Sequence, residues 1–298
     1  MTAPARTEPF FGPFATLRML PLPGMRVVDL YEGFFADFYG GMAENFTADL
    51  TWLARRVGQN PAQVLDLCCG TGRLSTLLAT AGHTVTAVDN APAMLARAQR
   101  RRAKLSAEVA ARCTFTEADV LTLDLGRRFD HVLLSGLSVS TFTNPADRSR
   151  LFATAARHLH PGGTLIFDHL PGPTSPDEHR EEHDVIPLGP TGAGGFVLAG
   201  TRRSAAEGRQ TANFYAERIG PDGATDRFLA HNVLAMLAPD RLDGELAEHG
   251  FRPAVGELLH PGALLAEQTG MDPAAFTGSG ELDHMRLRFV AAELGSRA

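Results

Sequence analysis

The chain has 298 residues, 44% hydrophobic and 21% charged, which is enough for one large domain or two ordinary ones and too apolar for a fibrous or largely disordered protein. The formal net charge of −6 argues against tight binding to a phosphate backbone, and no stretch reaches the roughly 18 apolar residues that a membrane span needs. Residues 1–23 lack a basic start followed by an apolar signal core, and three cysteines (Cys68, Cys69, Cys113) cannot staple a chain this long, so the expectation is a cytoplasmic protein with reduced, buried thiols.

In chain order, residues 25–58 read as two helices rich in aromatics: Tyr31, Phe34, Phe35, Phe38, Tyr39, Phe46 and Trp52. Most should fill a core, and a minority should line a lid over a ligand crevice. From Val64 to Leu170, short β-prone runs alternate with helix-period segments, the pattern of parallel strands joined by helical crossovers. The expected strands are 64–68, 84–88, 113–117, 131–135 and 164–169, and the expected helices 73–81, 92–104 and 145–160, the last closed by Pro161-Gly162-Gly163. The basic run Arg97, Arg100, Arg101, Arg102 and Lys104 lies on one of these helices and reads as a solvated face. This is an α/β chain with an open, doubly wound, Rossmann-like sheet.

Residues 171–195 read as a long polar loop, with the acidic cluster Asp177-Glu178-His179-Arg180-Glu181-Glu182-His183-Asp184 in it. Three strand-like runs follow at 195–204, 211–219 and 227–237, split by Glu207-Gly208 and Pro221-Asp222-Gly223, and predict an antiparallel insertion after the fifth strand. A helix over 239–249 ends at Gly250, and a strand at 251–258, a polar loop and a last strand near 285–291 complete the chain. The organisation expected is an N-terminal helical lid (1–58), a core (59–170), the acidic loop and insertion (171–236) and a C-terminal return to the core sheet (237–298).

The chemistry concentrates in Val64-Leu65-Asp66-Leu67-Cys68-Cys69-Gly70-Thr71-Gly72-Arg73-Leu74, an apolar strand ending in a glycine turn that opens a helix. Gly70 and Gly72 let the backbone approach a ligand closely. Asp89 ends the next strand, where an acid can accept both hydroxyls of a ribose, and Glu117-Ala118-Asp119-Val120 follows the third. A nicotinamide dehydrogenase uses a similar turn, but the third glycine of Gly-x-Gly-x-x-Gly is missing here, where Ser75 stands.

These motifs resemble those of class I S-adenosylmethionine-dependent methyltransferases, with Cys68 at a position where that family usually has glycine. The resemblance implies a seven-stranded sheet and S-adenosyl-L-methionine as cofactor. It implies that Asp66, Cys68, Gly70 and Gly72 surround the methionine part, that Asp89 binds the ribose, and that Asn90 and Met94 flank the adenine. Asp119 and Val120 would meet the adenine's amino edge and face, and Ser135 and Leu137 would touch the sulfonium end. The layout outside the core is similar to that of small-molecule amine N-methyltransferases of the glycine/sarcosine, amino-sugar and natural-product or modified-peptide types.

For the acceptor, the place after the fourth strand reads Leu134-Ser135-Gly136-Leu137-Ser138 and lacks the Asn/Asp-Pro-Pro-Tyr/Phe segment of DNA-base methyltransferases. His179 and His183 could ligate a metal, as catechol-type enzymes need, but a solvated acidic face is the better reading and no metal site is assigned. The expectation is methyl transfer to a small molecule or peptide at an amine nitrogen, with the acidic cluster and Glu217 attracting a cation. A phenol or carboxylate acceptor, and cofactor binding without turnover, stay as alternatives. His169, at the end of the fifth strand, is the first candidate to contact the acceptor as a general base, and Tyr31 and Tyr39 are candidates for closing over the cofactor. His231 and Asn232 are weaker candidates. No nucleic acid or membrane partner is expected, and a homodimer is left open.

Overall fold

A computed structural model describes residues 9–45, 48–188, 194–220, 222–252, 255–260 and 286–295. The expected polar loop after residue 260, together with Phe46, Pro221 and Met285, lies outside the described residues.

The apolar runs read as strands form the middle of a seven-stranded sheet, because nearly every side chain in them is buried and a central strand covered on both faces needs such a run. In this sheet β2 (Gln63–Leu67) is flanked by β3 (Thr84–Asp89) and then β4 (Cys113–Glu117) on one side, and by β5 (Phe129–Leu134) and β6 (Leu159–His169) on the other. These five strands are parallel. The sheet is completed by β12 (Leu287–Glu293), antiparallel to β6, and β11 (Val255–Leu259), antiparallel to β12. The chain winds outward from β2 to β4 and then returns to β5, so a switch point opens beyond the carboxyl ends of β2 and β5, where open α/β sheets bind ligands.

One face of the sheet is covered by α3 (Ala48–Val57) and α4 (Arg73–Thr80), with Leu53, Leu74, Leu78 and Ile166 in the shared core. The other is covered by α8 (Pro145–His158) and α9 (Pro239–Ala247), with Leu151, Phe152, Phe167, Leu242 and Leu246. Asn144 caps α8 by accepting from Ala146 N at 3.0 Å, and Pro145 opens it. At its far end α8 gives way directly to β6, so Pro161-Gly162-Gly163 falls inside an irregular strand start and not in a loop.

The second sheet is larger than the three-stranded insertion expected. Its order is β1 (Met25–Val27), β10 (Thr225–Ala235), β9 (Arg209–Ile219), β8 (Gly194–Ser204) and β7 (His179–Pro187). The acidic cluster is thus not a loop: most of it lies on the edge strand β7, paired antiparallel to β8. The N-terminal β1 pairs parallel to β10, which ties the start of the chain into the insertion. Side chains alternate between the two faces of a strand, and two N-terminal helices use both. Phe228 and Ala230 of β10 meet Phe35 of α2 (Gly33–Asn45), while Leu229 between them meets Phe14 of α1 (Gly12–Met19). No helix among the described residues is long and apolar enough to cross a membrane.

Candidate active site

At the switch point β2 leaves the sheet through a tight turn. Cys68, Gly70 and Gly72 all have positive φ, 55°, 54° and 71°. Gly72 N donates to Cys69 O at 3.0 Å, and Arg101 Nε donates to Thr71 O at 3.2 Å, fixing the turn from outside. Asp89 joins this turn to the next one: Oδ2 accepts from Gly70 N and Oδ1 from Ala91 N, each at 2.8 Å.

Over these loops lies a cavity of about 580 Å³, within the usual range of ligand clefts. Ten residues singled out from the sequence line it. Tyr31 and Tyr39 come from the lid, Cys68 and Gly70 from the turn, Asp89, Asn90 and Met94 from the end of β3 and the start of α5 (Pro92–Arg102), Asp119 and Val120 from the loop after β4, and Ser135 from the end of β5. The rings of Tyr31 and Tyr39 meet edge to face, 5.4 Å between centroids.

Four do not line it. Asp66 is fully buried beneath the turn, where Ser75 Oγ donates to Oδ2 and burial pushes its carboxyl up to about 7. Gly72 is glycine for packing: a Cβ there would sit 2.7 Å from Phe115 Cζ. Leu137 has φ 64°, and its side chain packs against Leu170, Leu234 and Met236. His169 is the main correction. It is 0% exposed, its Nδ1 lies 3.1 Å from Leu170 O, its ring lies against Phe167 on the α8 face, and burial lowers its pKa to about 4. Strand alternation turns its neighbour Asp168 the other way, where the carboxylate accepts from Leu137 N at 3.2 Å.

The acids expected to attract a cation are also displaced. Glu178 is paired with Arg203 at 2.7 Å, Arg180 with Glu182, and His183 stacks on Phe14 with ring centroids 5.8 Å apart. Glu217 accepts from Tyr215 Oη at 2.6 Å and from Arg227 Nε at 2.7 Å. His231 lies against Phe10 at 5.2 Å, and neither it nor Asn232 lines the cavity. In their place the lid contributes Asp29 and Glu32, on either side of Tyr31, and α4 contributes Arg73. The available signals were adjacency to Tyr31 for the two acids and a place inside the glycine motif for Arg73. Among the described residues no group of three or more His, Cys, Asp or Glu is arranged to hold a metal ion.

The site is dry enough to shift its ionisable groups. Burial raises the pKa of both tyrosines, reinforced at Tyr31 by Tyr39 and Asp29 and opposed at Tyr39 by Arg73. Burial also raises the Cys68 thiol, with Asp89 adding to it, so Cys68 is an inert wall of the cavity. Asp168 is pushed up to about 7 by burial and by Asp49.

Residues 64–163 match a family described as a methyltransferase domain. A demethylmenaquinone methyltransferase of Thermus thermophilus is 31% identical over 214 residues, 70% of this chain and 84% of that protein. A dTDP-3-amino-3,6-dideoxy-alpha-D-glucopyranose N,N-dimethyltransferase of Streptomyces fradiae is 27% identical over 68% of this chain and 78% of its own. Among solved structures, a sugar N-methyltransferase from a Streptoalloteichus species superposes with a TM-score of 0.65 at 24% identity, covering 89% of this chain and 94% of that one. The chain belongs to the class I S-adenosylmethionine-dependent methyltransferases. It is an enzyme that uses S-adenosyl-L-methionine, and the cavity fits that cofactor: an acid sits at the end of β3, backbone-exposing turns surround it, and apolar Met94 and Val120 provide faces for a base.

Proposed function

We propose that this enzyme methylates the amine nitrogen of a small natural-product or peptide acceptor. The observation that carries the reading is the charge of the cavity wall. Asp29 and Glu32 face it from the lid in addition to Asp89 and Asp119, and these four carboxylates meet a single guanidinium, Arg73, among the described residues. A concave wall of this sign concentrates cations and repels carboxylate or phosphate acceptors. The amino-sugar dimethyltransferase, aligned over 68% of this chain, and the sugar N-methyltransferase, superposed over 89% of it, support the same class.

The cofactor supplies an electrophilic methyl carbon on a sulfonium. Asp89 would accept from the ribose hydroxyls, Asn90, Met94 and Val120 would enclose the adenine, and Asp119 would meet its amino edge. Cys68 and Gly70 would border the methionine part, and Ser135 the sulfonium end. Asp66, Gly72 and Leu137 act from below by shaping the turns. Tyr31 and Tyr39 close over the reacting centre and exclude water. Orientation of two reactants in such a site supplies roughly 7–11 kcal/mol.

The test is a screen of acceptor pairs that differ only in an amine or a hydroxyl at one position, read by S-adenosylhomocysteine release. Amines turn over and their hydroxyl partners do not. Asp29→Asn and Glu32→Gln each raise KM for the amine about tenfold, the effect of one charge-assisted contact, and leave the affinity for S-adenosylhomocysteine within threefold. Turnover confined to phenols or carboxylates contradicts the proposal.

A further inference from the structure

We infer that Arg97 on α5 is a positioning residue for the lid: through Asp37 and Gly40 it holds α2 so that Tyr39 and the segment before the helix stand over the cavity. The inference holds whichever acceptor is methylated. Asp29, Tyr31 and Glu32 lie just ahead of α2 and Tyr39 lies within it, so the place of this helix sets the whole lid wall of the cavity. α2 turns three faces to its surroundings. Phe34, Phe35 and Phe38 face the second sheet, where Phe34 stacks on Phe228 with centroids 5.2 Å apart and Phe35 lies 6.0 Å from Phe214. Tyr39 lines the cavity. Asp37 and Gly40, three positions apart and so neighbours on one side of the helix, face α5.

The rings fix α2 to the second sheet, and Arg97 fastens it to the layer that carries the cofactor loops. Met94, one turn earlier on α5, lines the cavity. Arg97 does not line it, and it is only 17% exposed although it stands in the basic run that reads as a solvated face. Its guanidinium pairs with Asp37 and lies against the α2 backbone at Gly40, where a Cβ would come within 2.9 Å of Cζ, Nε and Nη1. A glycine inside a helix is destabilising relative to alanine, and at position 40 the close approach of Arg97 accounts for it. The bare backbone is a seat for a flat, weakly hydrated cation. Asp37 is 73% exposed, so its charge alone contributes little; seat and charge together give Arg97 one place on α2.

The experiment measures the affinity of S-adenosylhomocysteine by titration calorimetry, with no acceptor present, beside the melting temperature of each ligand-free variant. Arg97→Gln and Asp37→Asn each weaken binding about three- to fivefold, the worth of an ion pair with one exposed partner, while the melting temperature stays within about 3 °C of wild type. The double variant Asp37→Asn/Arg97→Gln binds no more weakly than Arg97→Gln alone, because the two side chains act as one unit. Gly40→Ala weakens binding by a similar factor with both charges in place, although alanine is the better helix former. Arg100→Gln makes the same change of charge at an exposed position of the same helix and leaves the affinity within about 1.5-fold. Unchanged affinity in Arg97→Gln or in Gly40→Ala overturns the inference, as do additive losses in the double variant or an equal loss in Arg100→Gln. A loss that arrives only with a fall in melting temperature beyond about 3 °C marks a folding role and overturns it as well.

Discussion

Cys68 and Gly72 bend the same turn, yet substitution is costly at Gly72 and nearly neutral at Cys68. A Cβ on Gly72 meets the Phe115 ring at 2.7 Å and Ala98 Cβ at 3.0 Å, and φ is 71°. Gly72→Ala therefore adds a left-handed penalty of about 1–2 kcal/mol to an overpacking cost of about 1–3 kcal/mol, and lowers the melting temperature by about 5 °C or more. Cys68 already bears that left-handed penalty at φ 55°, so Cys68→Gly relieves it while adding chain entropy to the unfolded state. Its melting temperature stays within about 3 °C of wild type. Thermal melts of the two variants test this pair; a harmless Gly72→Ala would remove the packing argument. At the same scale, most residues that line the cavity are legible because motif positions at strand ends lie at the switch point. His169 was not, because a strand alternates faces: the last residue of the fifth parallel strand is turned to α8, while Asp168 before it is turned to Leu137 in the loop after β5. Arg73 gives no signal of its own in a chain where all but one of the 28 basic residues are arginine, and only the fold sets it in the cavity wall among carboxylates.

Among the elements, the parallel strands and crossover helices were readable from periodicity, whereas β1, β7 and α1 were not. β1 has three residues, too few to show a period. β7 lies at a sheet edge and is half solvated, so it carries no apolar alternation; Arg180 pairs with Glu182 within it, and Glu178 just before it pairs with Arg203, far away in sequence. α1 is held by tertiary contacts: Phe11 N donates to Asn213 Oδ1 at 3.0 Å, Asn213 Nδ2 donates to Pro9 O at 2.9 Å, and Phe14 is fully buried. The seat for Phe14 exists because residue 200 is glycine; a Cβ there would sit 2.5 Å from Phe14 Cε2 and 2.8 Å from His183 Cδ2. Gly200→Ala consequently lifts α1, at a cost of about 1–3 kcal/mol, and limited proteolysis cuts between residues 9 and 24 several times faster than in wild type. Unchanged cleavage and an unchanged melting temperature would show that α1 does not depend on this seat.

On the scale of the whole molecule, the two sheets divide the work. The seven-stranded sheet supplies the turns that border the cavity from below, and the helices and loops docked on the second sheet bring Asp29, Tyr31, Glu32 and Tyr39 over it. This division has a consequence for protons. No histidine lines the cavity among the described residues, and burial raises both tyrosines, so neither is a base at neutral pH. An alkyl amine with a pKa near 10 must then lose its proton before its lone pair can attack, the carboxylates of the wall being far weaker bases than the amine, and only about one molecule in a thousand is neutral at pH 7. The direct measurement is kcat/KM against pH from 6 to 10 with an accepted amine. The expected profile rises about tenfold per unit, without a shoulder, up to the pKa of the acceptor itself. A profile that is flat, or that reaches its plateau near pH 7, would contradict it.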